Sequence, residues 1–337
     1  MAEAPDLASV LKAITKISGK DALMDGVRAL DIPRVAMPAR QLNLTFTGSG
    51  FPRGRLIEFY GPESAGKSTA AMLVASGFQK VDKRKVFWVD AEGTYDPIWA
   101  EKLGLDNSRV IKWCPDASTA EEVFQYVLSM ADSDGVSLIV IDSFPALIPQ
   151  NVEEKEISQL TMAGISKPLT TFSQKMVKVL LRHPTISVLG LNQIRDSLSA
   201  YGDPLSTPGG HAWKHFCSIR LQLRATPIDD AGKEQGDKSD TATGVRIWTF
   251  LKKNKTGPRD WKTVSFTVSF LHGFNSKLDL VETALMLGLI EQRGSSYSYT
   301  NPETGEIIKA VGKKAFLVKL EGDCEEALEQ AVLSYSP

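Results

Sequence analysis

The sequence is bounded first by what it has little of. Its 337 residues carry 39 Lys and Arg against 40 Asp and Glu, a formal net charge of −1. With no surplus of either sign, bulk charge points to no nucleic acid or membrane partner, and any such partner must be recognised by particular residues. Only three cysteines occur, Cys114, Cys217 and Cys324, far apart and without a Cys-x-x-Cys pair. Reduced thiols in a cytosolic type of compartment are expected, not a disulfide framework. No apolar run approaches the length that spans a bilayer. The first residues, Met1 to Leu7, have neither the apolar core nor the Arg-rich face of a targeting segment. A soluble intracellular chain with no membrane partner is the expectation. Its 42% hydrophobic and 23% charged residues are ordinary for a globular protein, and the length suits one large α/β domain with a small appendage.

What is present centres on Gly61-Pro62-Glu63-Ser64-Ala65-Gly66-Lys67-Ser68-Thr69, which fits the phosphate-loop pattern G-x-x-x-x-G-K-[ST]. Gly61 and Gly66 let the backbone curl so that successive N–H groups point at phosphate oxygens. Lys67 can reach the β- and γ-phosphates, and the Ser68 hydroxyl can ligate Mg²⁺. From Thr69 a helix opens, whose N-terminal dipole favours an anion. The setting agrees: Arg55 to Tyr60 reads as a strand and Ala70 to Ser76 as a helix. ATP with Mg²⁺ is the expected cofactor pair.

Along the rest of the chain, Leu7, Val10, Leu11, Ile14 and Ile17 recur at helical spacing. That amphipathic helix must cover its stripe on its own core or on a neighbouring subunit. Strands are predicted at 85–90, 137–142 and 185–192, with helices near 119–132 and 168–182, the alternation of a parallel sheet covered on both faces. Past residue 218 the pattern changes to clean alternation at 218–224, 244–250 and 263–270, which reads as antiparallel strands extending the sheet. The mixed-charge stretch 229–240 between the first two is expected to be an exposed hairpin loop. From about 276 a helix, a Tyr-rich hairpin and a terminal helix make a small lobe. Three domains are expected: 1–35 as N-terminal helix and linker, 36–275 as an ATPase core, and 276–337 as a C-terminal α+β lobe.

Ligands of open parallel sheets sit at the carboxyl ends of the strands. Asp142 ends the apolar strand, placed as a Walker B acid to hold Mg²⁺. Asp90 and Glu92 end another, where a carboxylate can orient and deprotonate an attacking water. Asn192 and Gln193 end a third, where an amide can sense the γ-phosphate. The following segment from Arg195 to Gly210 is too long and too rich in Gly and Pro for a mere connection.

These motifs together resemble the bacterial RecA recombinase family. The likeness is carried by residues 61–69, Val89-Asp-Ala-Glu92 with Asp96-Pro-Ile98, Ile139-Val-Ile-Asp-Ser143, Asn192-Gln-Ile-Arg195, Gly209-Gly210 with Lys214, and Lys253-Asn-Lys255. The resemblance implies a RecA-like P-loop ATPase core of α/β class, with a mostly parallel central sheet. It implies an ATP-dependent strand-exchange recombinase that forms a helical filament on single-stranded DNA and then pairs it with homologous duplex, in recombination, repair and the SOS response. The implied roles are residue by residue. Glu92 is the catalytic carboxylate, Gln193 couples the γ-phosphate to the DNA-binding loop, and Asp96 and Trp99 contact the adenine. Lys253 and Lys255 reach the ATP of the adjacent subunit, and the N-terminal helix packs on that neighbour. Met162, Arg195, Gly209, Gly210 and Lys214 fall in the DNA-binding loops, Met162 reading equally as an apolar wedge or a plain helix-start residue. A cytoplasmic location follows, in a bacterial cell or phage-encoded.

The sequence also departs from the family. Asp196-Ser197 follows Arg195 where a further basic residue is usual, which implies weaker or more salt-sensitive DNA binding. His215 replaces an interface phenylalanine, and the long acidic tail common in bacterial members is not expected after Ser336-Pro337. His211 and His215 have the i, i+4 spacing of metal ligands but no third ligand nearby. The tryptophans are expected mostly in core or interface. Competing functions are a ring-forming helicase-type motor, an ATP-binding recombination accessory with little turnover, and a small-molecule kinase.

Overall fold

The computed structural model describes residues 6–18, 32–45, 50–153, 164–196, 205–229, 232, 234–236, 241–257 and 263–335. By contact, the chain forms two units, residues 1–33 and 34–337. Within the first, helix α1 (Leu7–Ser18) has an exposed stripe of Leu7, Val10, Leu11, Ile14 and Ile17, with Lys12 and Lys16 on the opposite face and no acid in its first turn.

The second unit begins with β1 (Arg34–Val35), α2 (Arg40–Thr45) and β2 (Phe51–Pro52). Strand β3 (Leu56–Gly61) leads through the phosphate loop into α3 (Lys67–Val81). Then come β4 (Lys85–Asp90), α4 (Pro97–Lys102), β5 (Val110–Trp113), α5 (Ala120–Asp132), β6 (Val136–Asp142), α6 (Gln150–Glu153), α7 (Ser166–Arg182) and β7 (Ser187–Gln193). A two-strand ladder, β8 (Arg195–Asp196) with β9 (Leu205–Ser206), precedes α8 (Gly210–Phe216). Strands β10 (Ile219–Ile228), β11 (Gly244–Asn254), β12 (Thr263–Ser269) and β13 (Gly273–Phe274) complete the sheet, in the order β13-β12-β11-β10-β3-β7-β6-β4-β5.

The strands from β10 to β5 in that order are mutually parallel. The alternating segments 218–224, 244–250 and 263–270, read as antiparallel strands extending the sheet, are β10, β11 and β12, each antiparallel to the next, and β10 is also parallel to β3 on its other edge. The parallel pairing on that other edge is not written in the alternation. Side chains alternate along any half-exposed strand, whichever way its neighbour runs.

Side-chain alternation builds two cores from one sheet. Val86, Trp88, Leu138 and Val140 pack with α3 on one face. Phe87, Val89, Ile139 and Ile141 pack with α5, α7 and α8 on the other, where Phe144 and Trp213 are fully buried. Gly190 is required there, because a Cβ would lie 2.2 Å from the Phe144 ring. Trp113 and Trp248 are half-buried, and Trp261 lies outside the described residues. Thr119 caps α5 with a reciprocal bond from Glu122, stabilising its first turn.

Residues from 276 carry a core of their own. It joins α9 (Ser276–Met286), the sheet β14 (Glu291–Arg293), β15 (Ser296–Thr300) and β16 (Ile307–Val311), α10 (Lys313–Lys319) and α11 (Asp323–Ser334) around Leu280, Tyr297, Tyr299, Phe316 and Leu328. Buried ion pairs tie this part to the preceding residues. Arg40 meets Asp279 at 3.3 Å, and Arg246 meets Glu282 at 2.9 Å.

Candidate nucleotide site

Register brings the predicted residues together. Gly61 of β3 pairs with Gln193 of β7, and Asp90 of β4 with Asp142 of β6, so four neighbouring parallel strands end on the same side of the sheet, the second pair two residues short of the first. They border a cleft of about 600 Å³ lined by residues 63–69, Glu92, Trp99, Asp142, Gln193, Ala225, Val245 and Phe270.

The loop is built for an anion. Gly66 has φ 79° as it enters α3, a left-handed conformation that costs glycine little. Close contacts also exclude larger residues: a Cβ on Gly61 would meet the Leu223 carbonyl at 2.4 Å, and one on Gly66 the Ile247 side chain at 2.5 Å. Ser64 is also left-handed, with φ 56°. Lys67 Nζ donates to the loop's own carbonyls, Pro62 at 2.7 Å and Gly61 at 3.3 Å. Burial lowers the Lys67 pKa, while Asp142, Glu92 and Glu63 counter that by attraction.

The carboxylates divide by environment. Burial pushes Asp142 up to about 6; a hydrogen bond from the Ser68 hydroxyl opposes this, and the nearby Glu92 and Asp90 charges add to it. Asp90 is buried and accepts the backbone N–H groups of Thr94 at 2.9 Å and Tyr95 at 3.1 Å, with Lys112 at 3.5 Å. It holds the turn that carries Glu92. Glu92 itself is exposed and accepts a hydrogen bond from the Ser143 hydroxyl. Of the two acids, Glu92 is the one open to the cleft.

On the base side, Trp99 Nε1 donates to Thr69 Oγ1 at 3.2 Å. Asp96 is exposed, and one oxygen of its carboxylate, Oδ1, caps α4 by accepting from the Ile98 and Trp99 N–H groups. Val245 and Lys253 are eight positions apart on β11, which at roughly 3.3 Å per residue separates them by about 26 Å. The lysines therefore stand far from their own chain's cleft. Lys253 Nζ donates to the carbonyls of Lys214 and His215, and Lys255 Nζ to that of His215. Burial first, then the Lys255 charge, pulls Lys253 down to about 8.

Gly209 (φ 100°) and Gly210 (φ 70°) start α8, where a Cβ on Gly209 would strike Leu169. Lys214 lies on that helix. Arg195 sits in the β8–β9 ladder, opposite Ser206. Met162 lies outside the described residues. Among the described residues, no group of three or more His, Cys, Asp and Glu forms a metal cluster, and no helix is long and apolar enough to cross a membrane.

Three features escaped the sequence. Ser143 positions Glu92, and Phe270 follows β12 into the cleft wall. Asn192 donates to Glu58 and, at 2.9 Å, to the Pro208 carbonyl. Glu58 in turn pairs with Arg220, whose guanidinium lies 4.5 Å from the Tyr60 ring centre. This network ties β3, β7 and β10 to the end of the second loop.

A phosphate loop, a strand-end acid beside its serine and a second carboxylate opening on the same cleft define a P-loop ATPase. Comparison with known proteins narrows the class. The RecA N-terminal domain model matches residues 5–275. Protein RecA of Thermus aquaticus is 33% identical over 305 residues, covering 89% of this chain and 86% of that protein. Protein RecA of Thermus thermophilus is 33% identical over 314 residues, with the same coverage. The crystal structure of the RadB recombinase aligns with a TM-score of 0.48 and 22% identity, over 68% of this chain and 93% of that one. The chain belongs to the RecA family. It is accordingly an ATP-dependent strand-exchange recombinase and a DNA-dependent ATPase, of a family in which filament formation is typical.

Proposed function

We propose that this chain assembles as a helical filament on single-stranded DNA, that homologous duplex is engaged afterwards, and that the nucleotide cleft works as half of an intersubunit site. The carrying observation is the division along β11. The cleft collects Lys67, Ser68, Glu92, Asp142 and Gln193, whereas Lys253 and Lys255 lie at the opposite end of that strand.

The residues suit ATP with Mg²⁺. The backbone N–H groups of residues 63–69 and the Lys67 ammonium hold phosphate oxygens, and Ser68 with Asp142 offers the oxygen donors that a hard cation prefers. When bound, Mg²⁺ supplies charge neutralisation at the phosphates. Glu92 takes the proton of the attacking water, while Ser143 fixes its carboxylate and Asp90 fixes the turn beneath it. Gln193 senses the γ-phosphate, and the adjacent Asn192 passes a shift of β7 to Pro208 and so to Gly209, Gly210 and Lys214, which with Arg195 and Met162 serve DNA. Trp99 offers a stacking face to the adenine and Phe270 an apolar neighbour. Asp96 contacts the adenine beside Trp99, while its Oδ1 orders the start of α4. Lys253 and Lys255 complete the neighbouring subunit's site like arginine fingers in trans, and residues 1–35 serve subunit packing, 36–275 the ATPase core and 276–337 a separate lobe.

ATP turnover measured with and without single-stranded DNA, alongside negative-stain imaging, tests this reading. Stimulation by DNA together with helical filaments is expected. Turnover indifferent to DNA, or closed rings, would overturn it.

A further inference from the structure

Helices α5 and α7 leave a groove between them on the face of the sheet opposite α3. Two adjoining cavities, of about 460 and 290 Å³, share Gln125, Leu128 and Lys175 and have no lining residue in common with the nucleotide cleft. The floor is apolar: Phe124, Leu128, Pro168 and Phe172 line it. From Glu121 to Asp132 the trough follows eleven helical steps, about 16 Å, or three turns.

Its net charge is positive. Lys167, Lys175 and Lys178 are exposed along one flank of α7, at offsets of eight and three residues, and among the described residues none of the three has an ion-pair partner. Of the acids nearby, Asp132 is paired and Glu121 keeps its charge, which leaves the three lysines in excess. Asp132 accepts from Arg182 and pairs with His183, and Glu121 accepts the Gln150 N–H. An apolar trough beneath unpaired lysines complements an amphipathic helix with apolar anchors on one face and acidic residues beside them. Nucleic acid suits it less, since phosphates would gain nothing from the apolar floor. The chain's own α1 suits it less too, because it carries no acid to meet the lysines; its only charges, Lys12 and Lys16, lie on the face away from its apolar stripe.

We propose that the α5/α7 groove is a docking site for an acidic amphipathic helix of a partner protein, separate from the nucleotide cleft. The partner's apolar side chains fill the space over Phe124, Leu128 and Phe172, and its carboxylates face Lys175 and Lys178. The inference does not depend on how the cleft works, since binding here needs neither ATP nor DNA.

The test uses a fluorescein-labelled 16-residue helical peptide with Phe and Leu on one face and Glu on the other, titrated with the full chain by anisotropy. A peptide of the same apolar face with Lys in place of Glu is the control. The acidic peptide is expected to bind at least tenfold more tightly than the basic one. Lys175→Glu/Lys178→Glu should reverse that preference while leaving ATP turnover unchanged, which shows that the variant is folded. Equal binding of both peptides, or no reversal in the variant, overturns the proposal. Displacement of the acidic peptide by single-stranded DNA would assign the surface to nucleic acid, and displacement by a peptide of residues 1–33 would assign it to a second copy; either result overturns it as well.

Discussion

Asp90 and Glu92 are two residues apart, and the structure assigns them opposite duties, so exchanging each for its amide should separate stability from turnover. Asp90 is buried and accepts two backbone N–H groups. Hydrogen bonds to a charged group contribute roughly 1.5–3 kcal/mol each. In Asp90→Asn one oxygen can still accept, but the new NH₂ must face an N–H. A loss of about 2–3 kcal/mol is expected, read as a lower urea midpoint at unchanged slope. Turnover per folded molecule should fall only modestly, since the turn is loosened and no proton acceptor is lost. Glu92 is exposed and engaged by one hydroxyl. Glu92→Gln keeps an oxygen for that hydroxyl, so the urea midpoint should hold within error. Its turnover should drop about 10²- to 10⁴-fold, the usual worth of a general base, with ATP and DNA binding retained. The assay pair is urea unfolding and DNA-stimulated phosphate release on the same preparations. A fully active Glu92→Gln, or an Asp90→Asn that is inactive at full stability, would refute the division of roles.

Two further outcomes follow from charge. Burial acts to raise the Asp82 pKa, but hydrogen bonds from Arg84 and Arg53 outweigh it and hold the group below its ordinary value of 3.8. A depressed carboxylate stabilises the fold above the unfolded-state pKa, and that contribution fades as pH falls below about 4. Asp82→Asn should therefore cost about 3 kcal/mol at pH 7 and progressively less in acid; a difference independent of pH in urea titrations would count against the ion cluster. Lys253, at about 8, should be acetylated faster than exposed lysines at pH 8 in the unassembled chain. ATP and single-stranded DNA together should protect it, as mass spectrometry of the labelled chain can read; unchanged labelling would contradict its place at a subunit contact.

Much of this was legible from local pattern. The run from Ser137 to Asp142 marks a strand buried on both faces, and residues 61–69 name their own chemistry because every position of the loop is sequential. At β10 the antiparallel pairing with β11 was legible and the parallel pairing with β3 was not, since Arg220 and Gln222 alternate with Ile219, Leu221 and Leu223 as in any half-exposed strand. The edge strand Val110–Trp113 passed unnoticed because it is four residues long and incompletely buried. So did α10, seven residues with one fully buried side chain, Phe316. The site residues missed depend on distant partners. Glu58 meets Asn192 and Arg220 across 134 and 162 positions, and no spacing rule reaches so far. Asp96 shows a subtler gap: the motif marks the position, and the fold gives it a capping role that a motif cannot express.

The claim that each nucleotide site is shared between subunits is tested most directly by mixing two variants that should each be inactive alone on single-stranded DNA, Glu92→Gln and Lys253→Ala. Head-to-tail assembly of an even mixture would pair an intact cleft with intact lysines at about a quarter of contacts. Recovery of turnover to about that fraction of the wild-type rate is predicted. A mixture no more active than the sum of its two components would contradict the account.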